Sequence, residues 1–480
     1  YSAAYDAAYR EDYGAEEALI DIAAMESLGG RKFGLRVFRK PGDRASAAHI
    51  KIYSRSGPMR LASLIPTLEN LGLSAIHEAG YDIRPEGDQR TWLHDFVAEE
   101  KLGRDIDVDG VKANLEEAMT AVLEGRAEDD GFNALVADAG LSWREAWALR
   151  AAAKFLLQAG IQFSQKYIEE ALAKHPMIAR ELIAVFHARF NPAGPKDADK
   201  RREETARAAS LETVQSLDED RIMRRFLNFF GAVLRTNYYQ RELDGDAKSY
   251  ISFKIDSGKI EGLPEPRPYR EIFVCGPRVD GVHLRFGPVS RGGLRWSDRR
   301  EDYRTEVLSL VKAQRVKNAV IVPTGSKGGF YPKQLPVGGD RNAIFEEGRE
   351  AYKIFIRGLL DLTDNIVGGK VKAPPSMVMW DDPDPYLVVA ADKGTATFSD
   401  TANAISADYG FWLGDAFASG GSVGYDHKVM GITARGAWEA VKRHFREMGK
   451  DIQKEPFTVV GVGDMSGAVF GNGKLLSEKI

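Results

Sequence analysis

The apolar residues of this chain change their spacing from one third of its length to the next, and that change restricts the fold more than any other feature. Between residues 31 and about 100, four runs alternate in strand fashion: KFGLRVFRK, AAHIKIYSR, SAIHEAGYDI and RTWLHDFVAE. They enclose RLASLIPTLENLGL, in which Leu61, Leu64, Ile65, Leu68 and Leu71 recur at helical intervals. One helix on a small antiparallel sheet, ferredoxin-like, is the expected outcome for residues 1–108. Over 109–248 the spacing becomes three and four residues in VKANLEEAMTAVLEG, SWREAWALRAAAKFLLQAG, KYIEEALAKHPMIARELIAVFHARF and DEDRIMRRFLNFFGAVLRTNYY, so this part reads as helical. Ser216 and Glu219 stand at capping-box spacing before the last of these. NPAGPKDADKRREET reads as a linker whose KRR run lies on a solvated helix face. From 249 onward strands (SYISFKI, REIFVCG, VHLRFG, AVIVP) and helices (RREDYRTEVLSLVKAQRVKN, NAIFEEGREAYKIFIRGLLDLT, GAWEAVKRHFREMG) intermix, and PFTVVGVG reads as a final strand. The fold class read from these patterns is α+β, then helical, then α/β.

With 480 residues, 44% of them hydrophobic and 28% charged, the chain has the composition of several packed globular cores and not of a disordered polymer. A formal charge of −4 gives no reason to expect a nucleic-acid or membrane-surface partner. The single cysteine, Cys275, excludes an intrachain disulfide and a cysteine zinc cluster and fits a reducing cytoplasm. No apolar run approaches the roughly 20 residues of a membrane span. The first residues, YSAAYDAAYREDYGAEEAL, are acidic, unlike a signal or transit peptide, and begin with Tyr1; the chain reads as a piece of a longer one.

Two stretches place a long cation beside paired glycines: GPVSRGGLRW around Arg291, and VPTGSKGGFYPK around Lys327. Glycine pairs remove side chains so that a ligand or another backbone can come close. Lys317, at the expected end of a helix, is either a dipole-complementing cap or a third cation aimed at the same place. Asp392 ends the apolar run LVVAA and enters the small-residue turn DKGTATFSD. Lys327 is expected in a Gly-rich turn after a strand that ends at Pro323. Two or three cations and one carboxylate at the rim of an α/β sheet suit a dicarboxylic acid, because arginine grips a carboxylate as a fork and lysine as a point charge. Gly461, Gly463 and Gly467 follow the last apolar run in the order G-x-G-x-x-x-G, one residue longer than the dinucleotide fingerprint, so a pyrophosphate turn and a plain Gly-rich turn both remain open.

At 31–100 the pattern resembles the ACT-type regulatory modules of amino-acid metabolism, with an extra leading strand. The segment GPVSRGGLRWSDRREDYRTEVLSLVKAQRVKNAVIVPTGSKGGF resembles the substrate-domain signature of glutamate dehydrogenases, most of all the large bacterial NAD-dependent type. Arg291 stands where the K-G-G-[LI]-R motif of the smaller enzymes has a lysine, Lys317 falls on the second substrate lysine, and Lys327 falls on the catalytic lysine of G-G-x-K-G-G. Thr324 replaces that motif's first glycine. Asp392 matches the catalytic aspartate of the P-A-G-D-x-G turn, Thr433 resembles the T-G-x-G segment, and Gly461 and Gly463 match the start of the cofactor domain. The resemblance implies a small ACT-like domain (1–108), a helical region (109–248), a glutamate dehydrogenase substrate domain (249–455) and the start of a Rossmann domain (456–480). It implies oxidative deamination of L-glutamate to 2-oxoglutarate and ammonia with NAD, NADP not being excluded, in a cytoplasmic homo-oligomer without nucleic-acid or membrane partners. Arg291 and Lys317 would hold carboxylates, Thr433 would help to bind substrate, Asp392 would move protons on the amino group, and Lys327 would activate water. A dehydrogenase for another amino acid, or a non-catalytic amino-acid-binding module, are the rival readings. The 1–480 piece alone is expected to turn over nothing.

Overall fold

The computed structural model describes the chain apart from residues 2, 87–89, 198–199, 202–213, 314, 316–322, 425–426 and 462–472. The described residues form two compact units: Tyr1–Arg291 with Trp296–Leu387, and Gly292–Arg295 with Val388–Ile480.

The first unit begins with α1 (Ala7–Asp12) and α2 (Ala15–Glu26), then β1 (Phe33–Phe38), β2 (Ala47–Ser54), α3 (Leu61–Asn70), β3 (Leu73–Ile83), β4 (Thr91–Glu100) and α4 (Val108–Leu123). The four strands and the enclosed helix fall where their periodicities put them. They form an antiparallel sheet in the order β1-β2-β4-β3. From β2 to α4 the chain supplies five of the six elements of a βαββαβ unit, and β1 supplies the sixth from the front, on the free edge of β2. That placement accounts for the extra leading strand.

Side chains alternate across a strand, so Val37, Ile50 and Phe96 share one face of this sheet and Arg36, Lys51 and Asp95 the other. Leu64 and Leu68 of α3 and Val111 and Leu115 of α4 join the core on the first face. On the second, α2 brings Asp21, which accepts from Lys51 Nζ at 2.7 Å and from the Tyr9 and Tyr53 hydroxyls at 2.6 Å each. Three donors offset the desolvation of a carboxylate that is wholly buried.

The helical region continues with α5 (Ala134–Asp138), α6 (Trp143–Gln158), α7 (Gln165–Lys174), α8 (Pro176–Phe190) and α9 (Leu217–Ala232). One long helix was expected over KYIEEALAKHPMIARELIAVFHARF, and two form. Pro176 has no N–H with which to continue α7, and its fixed φ suits the first position of α8. Ser216 caps α9 by accepting from the Glu219 N–H. The Glu219 carboxylate turns to Lys174 at 2.8 Å and His175 at 2.7 Å, so only half of the capping box forms. Arg201 of the KRR run is buried and not solvated: it donates to the carbonyls of Ala188, Asn191 and Pro195 at 3.0, 3.0 and 2.7 Å, satisfying acceptors at the end of α8.

The remaining elements of this unit are β5 (Val233–Thr236), β6 (Ile251–Ile255), β7 (Arg270–Cys275), β8 (Val279–Arg285), β9 (Ser290–Trp296), α10 (Tyr303–Lys312), β10 (Thr324–Pro332), α11 (Arg341–Leu360) and a small hairpin, β11 (Asn365–Val367) with β12 (Lys370–Lys372). Strand β9 contributes its two ends here and its middle to the second unit. The strand expected at AVIVP falls largely outside the described residues, as does the end of the helix expected before it. Strands β10-β8-β7-β6-β5 are consecutive neighbours, all antiparallel. Phe253, Phe273 and Val282 form a row on one face, where Phe155 of α6 and Phe229 of α9 meet Phe273 and Phe253. On the other face Phe330 packs against Tyr352 and Phe355 of α11. Gly281 permits this approach, since a Cβ there would stand 2.6 Å from the Phe355 ring.

An ion cluster ties this sheet to the segment 381–384. Lys254 Nζ reaches Asp381 at 2.6 Å and Asp384 at 2.7 Å, and Arg235 reaches Asp381 at 2.6 Å and Asp364 at 3.0 Å. Arg285 Nη1 donates to Asp384 Oδ1 at 3.1 Å. Burial alone would raise the Asp384 carboxyl; Arg285 first and Lys254 second reverse this and hold it well below the usual carboxylate range.

In the second unit β13 (Val389–Ala391) runs parallel to residues 292–294 of β9 on one side and to β14 (Ala418–Ser419) on the other, with α12 (Ser399–Asp408), α13 (His427–Met430) and α14 (Ile432–Glu447). The strand expected at FTVVGVG is not formed over its described part, 457–461. A strand needs a hydrogen-bonded neighbour, and no described strand pairs with this stretch. Val460 is 94% exposed, while Phe457 packs on Trp438 and Phe445 of α14.

Candidate active site

Lys327 lies inside β10 and not in a turn, which corrects the expectation from its glycines. It is 3% exposed and pairs across the ladder with Leu284. By the two-residue period of a strand, Gly325 and Gly329 flank it on its own face. The lysine therefore has no neighbouring side chain along the strand, and this is the use of the glycines. The same face carries Glu271, one strand beyond Leu284, which accepts from Arg304 Nε and Nη2 at 2.8 and 2.6 Å and from Ser257 Oγ at 2.8 Å. Gly328, on the opposite face, pairs with His283. That ring is fully buried, and burial, aided by Arg285, pushes its pKa down to about 3, so it is neutral at physiological pH. His283 and Glu271 were not singled out from sequence: a histidine and a glutamate within apolar strands carry no spacing signal.

Arg291 is the second residue of β9 and lies near Tyr386, whose hydroxyl is raised by burial and drawn back by the guanidinium. VPTGSKGGFYPK is thus a strand where a Gly-rich turn was expected, and GPVSRGGLRW places Arg291 near a strand end. Lys317 lies outside the described residues.

Asp392 follows β13 directly, as the apolar run before it implied. Asp392-Lys393-Gly394-Thr395 forms a turn closed by the Thr395 N–H on the Asp392 carbonyl at 3.1 Å. Gly394 holds φ 82°, a conformation that favours glycine at this position of a type II turn. Thr395 Oγ1 accepts from the Asp392 N–H at 3.0 Å and donates to the Leu294 carbonyl at 2.8 Å, latching the turn to β9. Arg295 Nε donates to Asp392 Oδ2 at 3.2 Å. Gly293 faces Asp392 as well, and a Cβ there would stand 3.1 Å from the aspartate Cβ and from the Ala391 carbonyl. Sequence reasoning did not single out Arg295. The signal available was its two-residue spacing from Gly293 and four-residue spacing from Arg291, which puts all three on one face of a strand.

Thr433 is exposed in the first turn of α14, behind Gly431 in the left-handed region at φ 58°. Gly461 is exposed and lies outside any helix or strand, and Gly463 and Gly467 lie outside the described residues. The described residues thus build no strand–turn–helix cradle for a dinucleotide. Lys327 and Arg291 belong to the first unit; Asp392, Thr433 and Gly461 belong to the second.

Comparison with known proteins gives four family matches. The catalytic domain of bacterial NAD-glutamate dehydrogenase matches residues 206–480, and three further glutamate dehydrogenase families match elsewhere: helical motif 3 at 127–192, the ACT3 domain at 32–111 and helical motif 2 at 1–28. The chain is 51% identical over 479 residues to an NAD-specific glutamate dehydrogenase of Halomonas elongata, covering 99% of this chain and 30% of that protein. It is 51% identical over 482 residues to the protein of the same name from Pseudomonas aeruginosa, covering 99% and 30%, and 49% identical over 497 residues to that of Mycobacterium tuberculosis, covering 100% and 30%. The chain spans under a third of the length of these relatives. With the lysine strand, the aspartate turn and a catalytic-domain match over more than half of its residues, the chain belongs to the bacterial NAD-glutamate dehydrogenase family.

Proposed function

We propose that this chain carries the substrate-binding and proton-transfer residues of an enzyme that oxidises L-glutamate to 2-oxoglutarate and ammonia with NAD as acceptor. The observation that carries the reading is Lys327: a lysine inside a strand, nearly fully buried, with glycines on both sides of it on the same face. Burying a lysine's amine is costly, and the glycines leave it no neighbouring side chain along its own strand. In this reading Arg291 and Lys317 hold the carboxylates of glutamate, and Thr433 helps to bind it. Asp392 takes the proton of the substrate amino group, and Lys327 takes one from the water that attacks the iminium carbon. Ammonia then leaves as the carbonyl forms. The described residues build no dinucleotide cradle; in this reading Gly461 and Gly463 begin a Rossmann domain. The ACT-like reading of β1–β4 as a regulatory module, assembly as a homo-oligomer and a cytoplasmic setting, which suits the one buried free cysteine, belong to it as well. Among the described residues no helix is long and apolar enough to cross a membrane.

Gly293→Ala tests the aspartate's part. The added methyl meets Asp392 Cβ and the Ala391 carbonyl at 3.1 Å, tight enough to displace one of them. A small misplacement of a reacting group costs about tenfold to 100-fold. The expected result is a loss of that size in kcat for glutamate oxidation, in a polypeptide of the relatives' full length, with thermal melting little changed. Unchanged kcat would place Asp392 outside the chemistry.

A further inference from the structure

We propose that Arg295 is the positioning residue for Asp392, holding its carboxylate ionised and aimed so that it can accept a proton from the substrate amino group. The inference rests on the role given to Asp392 above and adds a residue which that role does not require by itself.

Four observations separate positioning from mere structure. The contact runs from Arg295 Nε to Asp392 Oδ2 at 3.2 Å, with side chains 20% and 24% exposed, so the pair is only partly screened by water. An opposite charge within about 4–6 Å of a carboxylate favours its ionised form. The main chain of Asp392 is fixed without Arg295, by the Thr395 hydroxyl, the Leu294 carbonyl and the Gly394 turn. The guanidinium thus acts on the carboxylate of a turn that is already built. Gly293, on the same face of β9 as Arg295, leaves the Asp392 side chain its room. Lys393, the charged neighbour along the chain, is exposed, whereas Arg295 is presented by the strand against which the turn is latched.

The test compares Arg295→Gln and Arg295→Lys with the unaltered protein and with Asp392→Asn, all at the relatives' full length, by the pH dependence of kcat and KM for glutamate oxidation. Asp392 works as a base only when ionised, so loss of the cation should move the acidic limb of kcat upward by about one pH unit or more. KM should stay within about twofold, and Arg295→Lys should return most of the shift because it keeps the charge. An acidic limb that stays in place in Arg295→Gln, whether the rate is kept or falls equally at every pH, overturns the proposal. A second measurement is independent of turnover. In the 480-residue chain, the carboxyl carbon signal of Asp392, identified by its loss in Asp392→Asn, should titrate about one unit higher in Arg295→Gln. An unchanged midpoint overturns the inference. Absence of glutamate oxidation by the unaltered full-length protein, with the midpoint still shifted, overturns the functional reading while the Arg295–Asp392 coupling stands.

Discussion

On the proposed reading, Lys327→Ala in a polypeptide of the relatives' full length should lower kcat for glutamate oxidation by about 10²- to 10⁴-fold, the range for removing a positioned acid–base group. The fold should survive the change. Lys327 is buried on β10, and alanine, beside Gly325 and Gly329, adds no bulk to the strand. Lys327→Arg is the sharper variant. A guanidinium keeps the positive charge but does not release a proton in the working pH range, and its planar fork is larger than an ammonium. It should therefore be as inactive as alanine while binding glutamate at least as well. Isothermal titration with glutamate, set beside steady-state rates, separates the two effects. Activity in Lys327→Arg would mean that the lysine serves only as a charge.

Asp384→Asn is expected to have the largest effect on stability, about 3–5 kcal/mol, the cost of leaving buried charges without their partner. Lys254 and Arg285, 1% and 3% exposed, both direct donors at Asp384. The amide would keep the shape and lose the charge. Denaturant unfolding followed by circular dichroism measures the loss, and a change under about 1 kcal/mol would show that Asp381 and Asp364 suffice for the cluster. The pH dependence follows from the direction of the shift. The carboxyl is held lower in the folded chain than in the unfolded one, so its stabilisation is complete above the unfolded value of about 4 and is lost as pH falls through the folded value. The asparagine variant should therefore lose less stability than the unaltered chain between neutral pH and strongly acid conditions.

Much of the fold was legible because period-2 and period-3.6 patterns report which face is buried, and burial is what fixed β1 to β4 and α4 to α9. Legibility failed where one residue overrides a period. Pro176 cut an apolar pattern that runs on across it, and Glu219 chose Lys174 and His175 over its own helix cap. It failed again at glycine. SRGGLRW and TGSKGGFYP look like turns because glycine is common there, yet both are strands in which glycine makes room for Asp392 or beside Lys327. The apolar run before Asp392 gave that residue its place correctly, whereas Arg295 needed the structure, since nothing local says which strand residue will face a turn about 100 positions away. The last run, FTVVGVG, has strand composition, but composition does not supply a hydrogen-bonding neighbour.

Glutamate-dependent reduction of NAD by these residues, within a polypeptide of the relatives' full length and with leucine and phenylalanine as competing substrates, decides whether this chain carries a glutamate site. NADH should form with glutamate and little with the two apolar amino acids, and the rate should collapse in Lys327→Ala. Turnover of leucine or phenylalanine in preference to glutamate, or a rate indifferent to Lys327, would contradict the proposed reading.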